Sequence, residues 1–203
     1  DVGCFSFFSN KNITTAEGGM LTTNRDDIAE KLRILRSHGM SSLTWDREQG
    51  HAFSYDVTDL GYNYRIDEIR SAIGLAQLGK ITERNQKRKE ATELYFDSLS
   101  EISEISFPFI DSPHKSSYHI LPIILNSGDR HDFMLYLKSK GIQTSIHYPL
   151  IHKFSYYKNT HSNTKLPISE SIESKLVTLP LFSEITNSQV KYVISTIKEW
   201  VAK

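Results

Sequence analysis

The sequence predicts an α/β fold in two parts, and three observations carry that reading. A short apolar run near the start is followed by helical periodicity, so strand and helix patterns alternate from the outset. Beyond residue 90 the order becomes strand, strand, helix, strand. The chain then closes on a strongly amphipathic helix. The predicted division puts residues 1–90, ending in a long connecting helix, apart from residues 91–203. The latter read as a small α/β domain with an antiparallel sheet and helices on one face.

Cys4 to Phe8 is an apolar run that reads as a buried strand, with Ser6 its one hydroxyl. Lys11 follows on a loop. Gly18 and Gly19 permit a tight turn or close backbone approach, and Met20 to Thr23 reads as the returning strand. Asn24 is the expected cap of a helix running to about Ser37. Ile28, Leu32 and Leu35 share one face of it, and Asp26 and Asp27 sit in its first turn. His38-Gly39 ends it. From Ser41 to Asp59 the pattern lapses into a polar stretch longer than an ordinary connection, which marks a functional or interface loop. Ile66 starts a long helical pattern through Ile69, Ile73, Ala76, Leu78 and Ile81 to Leu94 and Tyr95. Its charged run, Glu83 to Glu90, is a solvated face, and Gly74 and Gly79 are places for a kink or close packing.

In the second part the expected elements are strands at Ile105–Phe109 and Tyr118–Leu125, a helix at His131–Lys140 and a strand at Ile142–His147. Lys153 to Pro167 reads as irregular, Ser169 to Lys175 as a short helix, and Val177 to Leu181 as an extended segment limited by Pro180. Thr186-Asn187-Ser188-Gln189 has the form of a capping box. It opens a final helix with Val190, Val193, Ile194, Ile197 and Val201 inward.

Composition narrows the function classes. Lys and Arg number 24 and Asp and Glu number 24, for a formal net charge of zero, so nothing favours nucleic acid. No apolar run approaches membrane-spanning length. The single cysteine, Cys4, has no partner for an internal disulfide, which suits a reducing, cytoplasmic compartment.

Three blocks carry chemistry. Around Lys11, residue types allow two readings: a solvated surface charge, or an amine held near a strand end and desolvated into a nucleophile for Schiff-base formation. A nearby hydroxyl such as Ser6 can hold a phosphate, and lysine plus phosphate anchor is what pyridoxal phosphate (PLP) requires. In the second block Asn63 reads as a turn cap and Arg65 as a surface charge before a helix. In the third, His147 and Tyr148 lie at a predicted strand end before Pro149. There imidazole and phenol can donate to a ligand's oxygens, or His147 is a satisfied strand-end histidine. His152 has neither a Cys nor an acid at ligand spacing, so no metal site is expected.

The segment Ser6-Phe7-Phe8-x-x-Lys11-Asn12-Ile13-Thr14-Thr15-x-Glu17-Gly18-Gly19 resembles the Schiff-base segment of the DegT/DnrJ/EryC1/StrS family, PLP-dependent aminotransferases acting on nucleotide-linked keto-sugars. Leu60 to Leu78 and Gly141 to His152 resemble two further signatures, so the resemblance covers essentially the whole chain. It departs mildly at Ala16, where many members carry Gly. The resemblance implies a fold-type-I PLP transferase, with the C-terminal part of the large domain followed by the small domain. It implies that Lys11 binds PLP, that Ser6 and a partner subunit's Asn63 hold its phosphate, and that His147, Tyr148 and Arg65 lie near the sugar nucleotide. It further implies an amino-acid donor, usually glutamate, and a homodimer with active sites shared between subunits. Its expected role is in making 4-amino sugars for surface polysaccharide or a related glycoconjugate. Trp45-Asp46-Arg47 resembles a loop of members that act on 4-keto-6-deoxy sugars. The family's remaining cofactor contacts, including the aspartate on the pyridine nitrogen, belong to a large additional segment. The chain is therefore expected to be the C-terminal part of a longer enzyme, inactive alone. Two alternatives stand beside this: a non-catalytic dimerisation or binding module, and a PLP-dependent sugar dehydratase. Relatives of the latter kind replace the lysine with histidine, so Lys11 argues against it.

Overall fold

A computed structural model describes residues 1–41, 54–109, 116–160 and 163–203. The polar Trp45-Asp46-Arg47 stretch lies outside the described residues. The chain divides into two compact units, Asp1–Ile81 and Thr82–Lys203, a division that falls earlier than residue 90.

In the first unit, β1 (Gly3–Ser6) pairs antiparallel with β2 (Gly19–Thr22), Gly3 opposite Thr22 and Ser6 opposite Gly19. The expected buried strand is instead open: Phe5 is 55% exposed, and Cys4, Met20 and Leu21 are exposed with it. Apolar character is written in the side chains, whereas burial depends on what packs against them. Helix α1 (Asp26–Leu35) follows. Asn24 does not cap it; Arg25 stands at that position without a side-chain cap, its guanidinium pairing with Asp27 at 2.6 Å, which holds that carboxyl below its usual range.

The chain leaves α1 through two left-handed residues, His38 (φ 61°) and Gly39 (φ 70°). Here the backbone crosses itself. A Cβ on Gly61 would lie 1.9 Å from the Gly39 nitrogen, so both positions require glycine. Helix α2 (Glu68–Leu78) starts at the Asp67 side chain, which accepts from the Arg70 N–H at 2.8 Å. The single long helix expected from Ile66 is two helices. At Gly79-Lys80 the Lys80 N–H turns back to the Gln77 carbonyl, and α3 (Ile81–Leu99) begins anew.

The second unit holds a three-stranded antiparallel sheet ordered β3 (Ile105–Ser106), β4 (Leu121–Leu125), β5 (Leu176–Leu179). On β4, Leu121, Ile123 and Leu125 are buried and alternate with half-buried residues, the period-two signature of a sheet with one covered face. The same core takes Tyr95 and Leu99 from α3, Phe133 and Leu137 from α4 (Arg130–Ser139), and Val190, Val193, Ile194 and Ile197 from α7 (Asn187–Val201). Thr186 and Gln189 complete the capping box on α7. Arg88 of α3 donates to the carbonyls of Tyr118, His119 and Leu181 at 3.4, 3.3 and 3.1 Å, tying the helix to the end of the sheet where β4 begins and β5 finishes. Its burial lowers the guanidinium pKa from the ordinary value.

Pro122 sits in the central strand at no cost to the ladder. It faces Thr178 across β4 and β5, and Thr178 turns both backbone groups away, to Ser145. The strand expected at Ile142–His147 is reduced to that one bridge, Ser145 opposite Thr178. Its first N–H, of Ile142, is already spent on the Leu137 carbonyl that closes α4. Between Ser145 and β5 the chain forms a 3₁₀ turn (Ile151–Lys153) and two short helices: α5 (Ser155–Lys158) falls where an irregular stretch was expected, and α6 (Pro167–Ile172) overlaps the helix expected at Ser169–Lys175 but starts earlier. Among the described residues, no helix is long and apolar enough to cross a membrane.

Candidate functional site

Lys11 lies on the turn that follows β1. Phe8 joins it to Ser6: the Phe8 N–H donates to Ser6 Oγ at 3.3 Å, and the Phe8 carbonyl accepts from the Lys11 N–H at 3.0 Å. Lys11 and Ser6 therefore belong to one tight backbone turn, with Lys11 half-buried and Ser6 exposed. The loop is closed on both sides of Phe7, whose N–H donates to the Gly18 carbonyl (2.9 Å) and whose carbonyl accepts from the Thr15 N–H (2.9 Å). Thr15 is fully buried, its hydroxyl donating to the Glu17 carbonyl at 2.7 Å. Ala16 beside it is held at φ 68°, in the left-handed region where glycine is at ease.

Asn63 and Arg65 lie on a segment that runs antiparallel to the end of α1. Asn63 bridges Ser37, the His38 N–H donates to the Tyr62 carbonyl at 2.9 Å, and the Tyr64 N–H to the Arg36 carbonyl at 2.9 Å. Asn63 is exposed, and the Arg65 guanidinium donates to the buried Ser37 Oγ at 3.1 Å. Ser37 was not singled out in the sequence. Its signal is a lone hydroxyl at the end of an amphipathic helix.

His147 and Tyr148 are in the second unit. The His147 ring is half-buried, with Nδ1 3.0 Å from Thr178 Oγ1. Tyr148 is 58% exposed and meets that ring edge-on, centroids 4.9 Å apart at 82°. Beside this turn lies a cavity of about 450 Å³ lined by Tyr148, Leu150, His152, Tyr157, Leu166 and Leu176, among others. His152 has an acidic neighbour after all: Nε2 lies 3.1 Å from Glu170 Oε1, far away in sequence. Glu170 also accepts from the Leu166 N–H at 3.1 Å, and that bond, with His152 second, lowers its pKa from the usual carboxylate value. No cluster of metal-ligating side chains occurs among the described residues.

The sequence matches the family model of DegT/DnrJ/EryC1/StrS aminotransferases over residues 1–198. The chain belongs to this family. It is 32% identical to the uncharacterized protein MJ1066 of Methanocaldococcus jannaschii, covering 100% of this chain and 54% of that protein. Among solved structures it is similar to PseC of Helicobacter pylori, an aminotransferase involved in pseudoaminic acid biosynthesis, at 28% identity and TM-score 0.87 over 99% of this chain and 53% of that one. It is also similar to DesV of S. venezuelae (25% identity, TM-score 0.88, 100% and 52% of the two chains). The PLP form of Spr1654 of Streptococcus pneumoniae matches at 25% identity and TM-score 0.87, again over 100% and 52%. The chain thus spans about half the length of the relatives it matches. The fold is that of fold-type-I PLP-dependent transferases, and the family's cofactor is PLP. The residues here fit that group. A primary amine suited to an aldehyde and a hydroxyl suited to a phosphate stand on one hydrogen-bonded turn.

Proposed function

We propose that this chain carries the lysine of a PLP-dependent aminotransferase that moves an amino group from glutamate to a nucleotide-linked keto-sugar. The product would be a 4-amino sugar for surface polysaccharide or a related glycoconjugate. The observation that carries the proposal is the Ser6-Phe8-Lys11 turn, in a chain matched to the aminotransferase family along nearly its whole length. PLP, when bound, supplies the electron sink that makes the donor's α-proton acidic. Lys11 would hold the cofactor through Nζ, and the same amine, when free, would move the donor's α-proton. In the return half it delivers a proton to the sugar carbon that receives nitrogen. Ser6 Oγ, together with Asn63 of the partner subunit in a two-fold homodimer, holds the phosphate. His147, Tyr148 and Arg65 orient the sugar nucleotide through its oxygens. We place the reaction in the cytoplasm, where the lone exposed Cys4 stays a thiol.

The protein expressed from its own gene and loaded with PLP is expected to show a visible band that borohydride abolishes. Lys11→Ala should lose that band, and glutamate-dependent amination should fall to background. A Lys11→Ala protein that keeps both overturns the assignment.

A second reading, a dimerisation module without catalysis, draws on one observation. Tyr64, Ile69 and Leu75 are 74%, 76% and 72% exposed, an apolar surface suited to a partner. Under that reading the borohydride-sensitive band is missing from the wild-type protein as well.

A further inference from the structure

Thr178 is the one hydroxyl in the apolar strand β5, and it is only 5% exposed. Its backbone is fully engaged: the N–H donates to the Ser145 carbonyl at 2.8 Å, and the carbonyl accepts from the Ser145 N–H at 3.1 Å. That pair of hydrogen bonds holds the side chain at the His147 turn, where Oγ1 lies 3.0 Å from Nδ1. Among the described residues, the Thr178 hydroxyl has no other partner.

Two arrangements satisfy that distance. In one, Nδ1–H donates to the hydroxyl oxygen, and the hydroxyl proton is left buried with no acceptor. In the other, the hydroxyl donates to Nδ1 and nothing is orphaned. Burying an unpaired donor is the costly alternative, so the second arrangement is favoured. A neutral imidazole carries one proton, which must then sit on Nε2. The edge-on Tyr148 ring restricts rotation of the imidazole in this orientation.

We propose that Thr178 is a positioning residue: its hydroxyl locks neutral His147 in the Nε2–H tautomer, so that His147 meets its ligand as an uncharged hydrogen-bond donor. The ligand class is one that offers oxygen acceptors, the sugar and pyrophosphate oxygens of a nucleotide sugar. That part rests on the function proposed above; the tautomer does not.

The test uses the holoenzyme with ¹⁵N-labelled histidine, at a pH where the ring is neutral. The wild-type His147 resonances should show a protonated Nε2 and an unprotonated Nδ1. Thr178→Val, which keeps the shape and removes the hydroxyl, should give a tautomer mixture and raise KM for the sugar nucleotide roughly fivefold with little change in kcat. Thr178→Ser should restore both, which separates the hydroxyl's role from any packing defect in the valine variant. A wild-type Nδ1–H signature, or a Thr178→Val protein with unchanged tautomer and KM, overturns the proposal. His147→Ala reports separately: an unchanged KM there removes His147 from the substrate site, while the wild-type tautomer signature still decides the hydrogen bond.

Discussion

The two units solve the problem of order differently. The second closes a core: Tyr95, Leu99, Ile123, Phe133, Leu137, Val177, Val190 and Ile197 are each fully or almost fully buried. The first buries little among its described residues, only Thr15, Ser37, Gly39 and Met40. It is organised instead by backbone: the paired strands, the hydrogen bonds around Phe7 and the Gly39–Gly61 crossing. The proposed covalent chemistry, Lys11, sits on the backbone-organised unit. The proposed substrate contacts His147 and Tyr148 sit on the unit with the core. Apolar area removed from water is the main stabilising term in the second, whereas the first depends on conformations that few residue types allow.

Truncation probes this contrast most strongly. Phe133→Ala removes a fully buried ring that meets Trp200 edge-on at 5.0 Å, and is expected to cost about 3–5 kcal/mol. Ile69→Ala, at a 76% exposed position on α2, should stay within about 0.5 kcal/mol in this chain. Urea midpoints at matched protein concentration measure both. An Ile69 effect as large as that of Phe133 breaks the comparison and shows that this position is covered.

The backbone side has its own probe. Gly61→Ala drives a methyl to 1.9 Å from the Gly39 nitrogen and 2.4 Å from the His38 carbonyl carbon. Neither is the end of a flexible side chain, so the crossing must open. The expected loss is on the order of 2–3 kcal/mol, and hydrogen exchange should locate it at residues 34–40 and 61–65. Loss of protection across the second unit's sheet would instead mean that the two units unfold together.

How much of this was legible in the residues follows the same divide. The core elements of the second unit announced themselves, although the strand expected at Ile142–His147 is a single bridge. The apolar stripe of α7 and its Thr186–Gln189 box lie within a few residues of each other, and local pattern was enough. In the first unit, pattern gave the element types and missed their state. Cys4 to Phe8 reads as a buried strand because apolar residues cluster there, yet the strand is open. The Gly79 break was legible as a possible kink, while its use as a helix boundary depends on hydrogen bonds that spacing does not encode. The proposed site residues divide likewise. Lys11, Ser6, Asn63, Arg65, His147 and Tyr148 stand in contiguous motifs. Their supports Ser37 and Thr178, and the Glu170 partner of His152, come from 28, 31 and 18 residues away and only the fold brings them in.

A subtler probe of the core is its one buried phenol. Tyr95 donates to the Pro180 carbonyl at 3.2 Å, and burial pushes its pKa well above the ordinary 10.0. The unfolded chain loses this proton near pH 10.0 while the folded chain keeps it. The stabilisation is therefore complete below pH 10.0 and drains away as pH climbs toward the folded value. Tyr95→Phe should cost about 1 kcal/mol at neutral pH and flatten the alkaline decline. A decline as steep in the variant as in the wild type would place its origin in other groups.

The smallest expected effect has the opposite sign. Ala16 is exposed and held at φ 68°, its N–H on the Thr14 hydroxyl at 3.0 Å. An L side chain in that region costs roughly 1–2 kcal/mol, and glycine returns part of the gain through its freer unfolded chain, about 0.5–1 kcal/mol. Ala16→Gly should therefore stabilise the protein by about 0.5–1 kcal/mol, visible as a higher urea midpoint with an unchanged slope. A core substitution of one methyl would have the other sign. The gain is expected only because backbone conformation, rather than burial, sets the energy of this turn. A loss on Ala16→Gly would mean that the methyl is packed in solution, and that the loop bearing Lys11 is held by side chains after all.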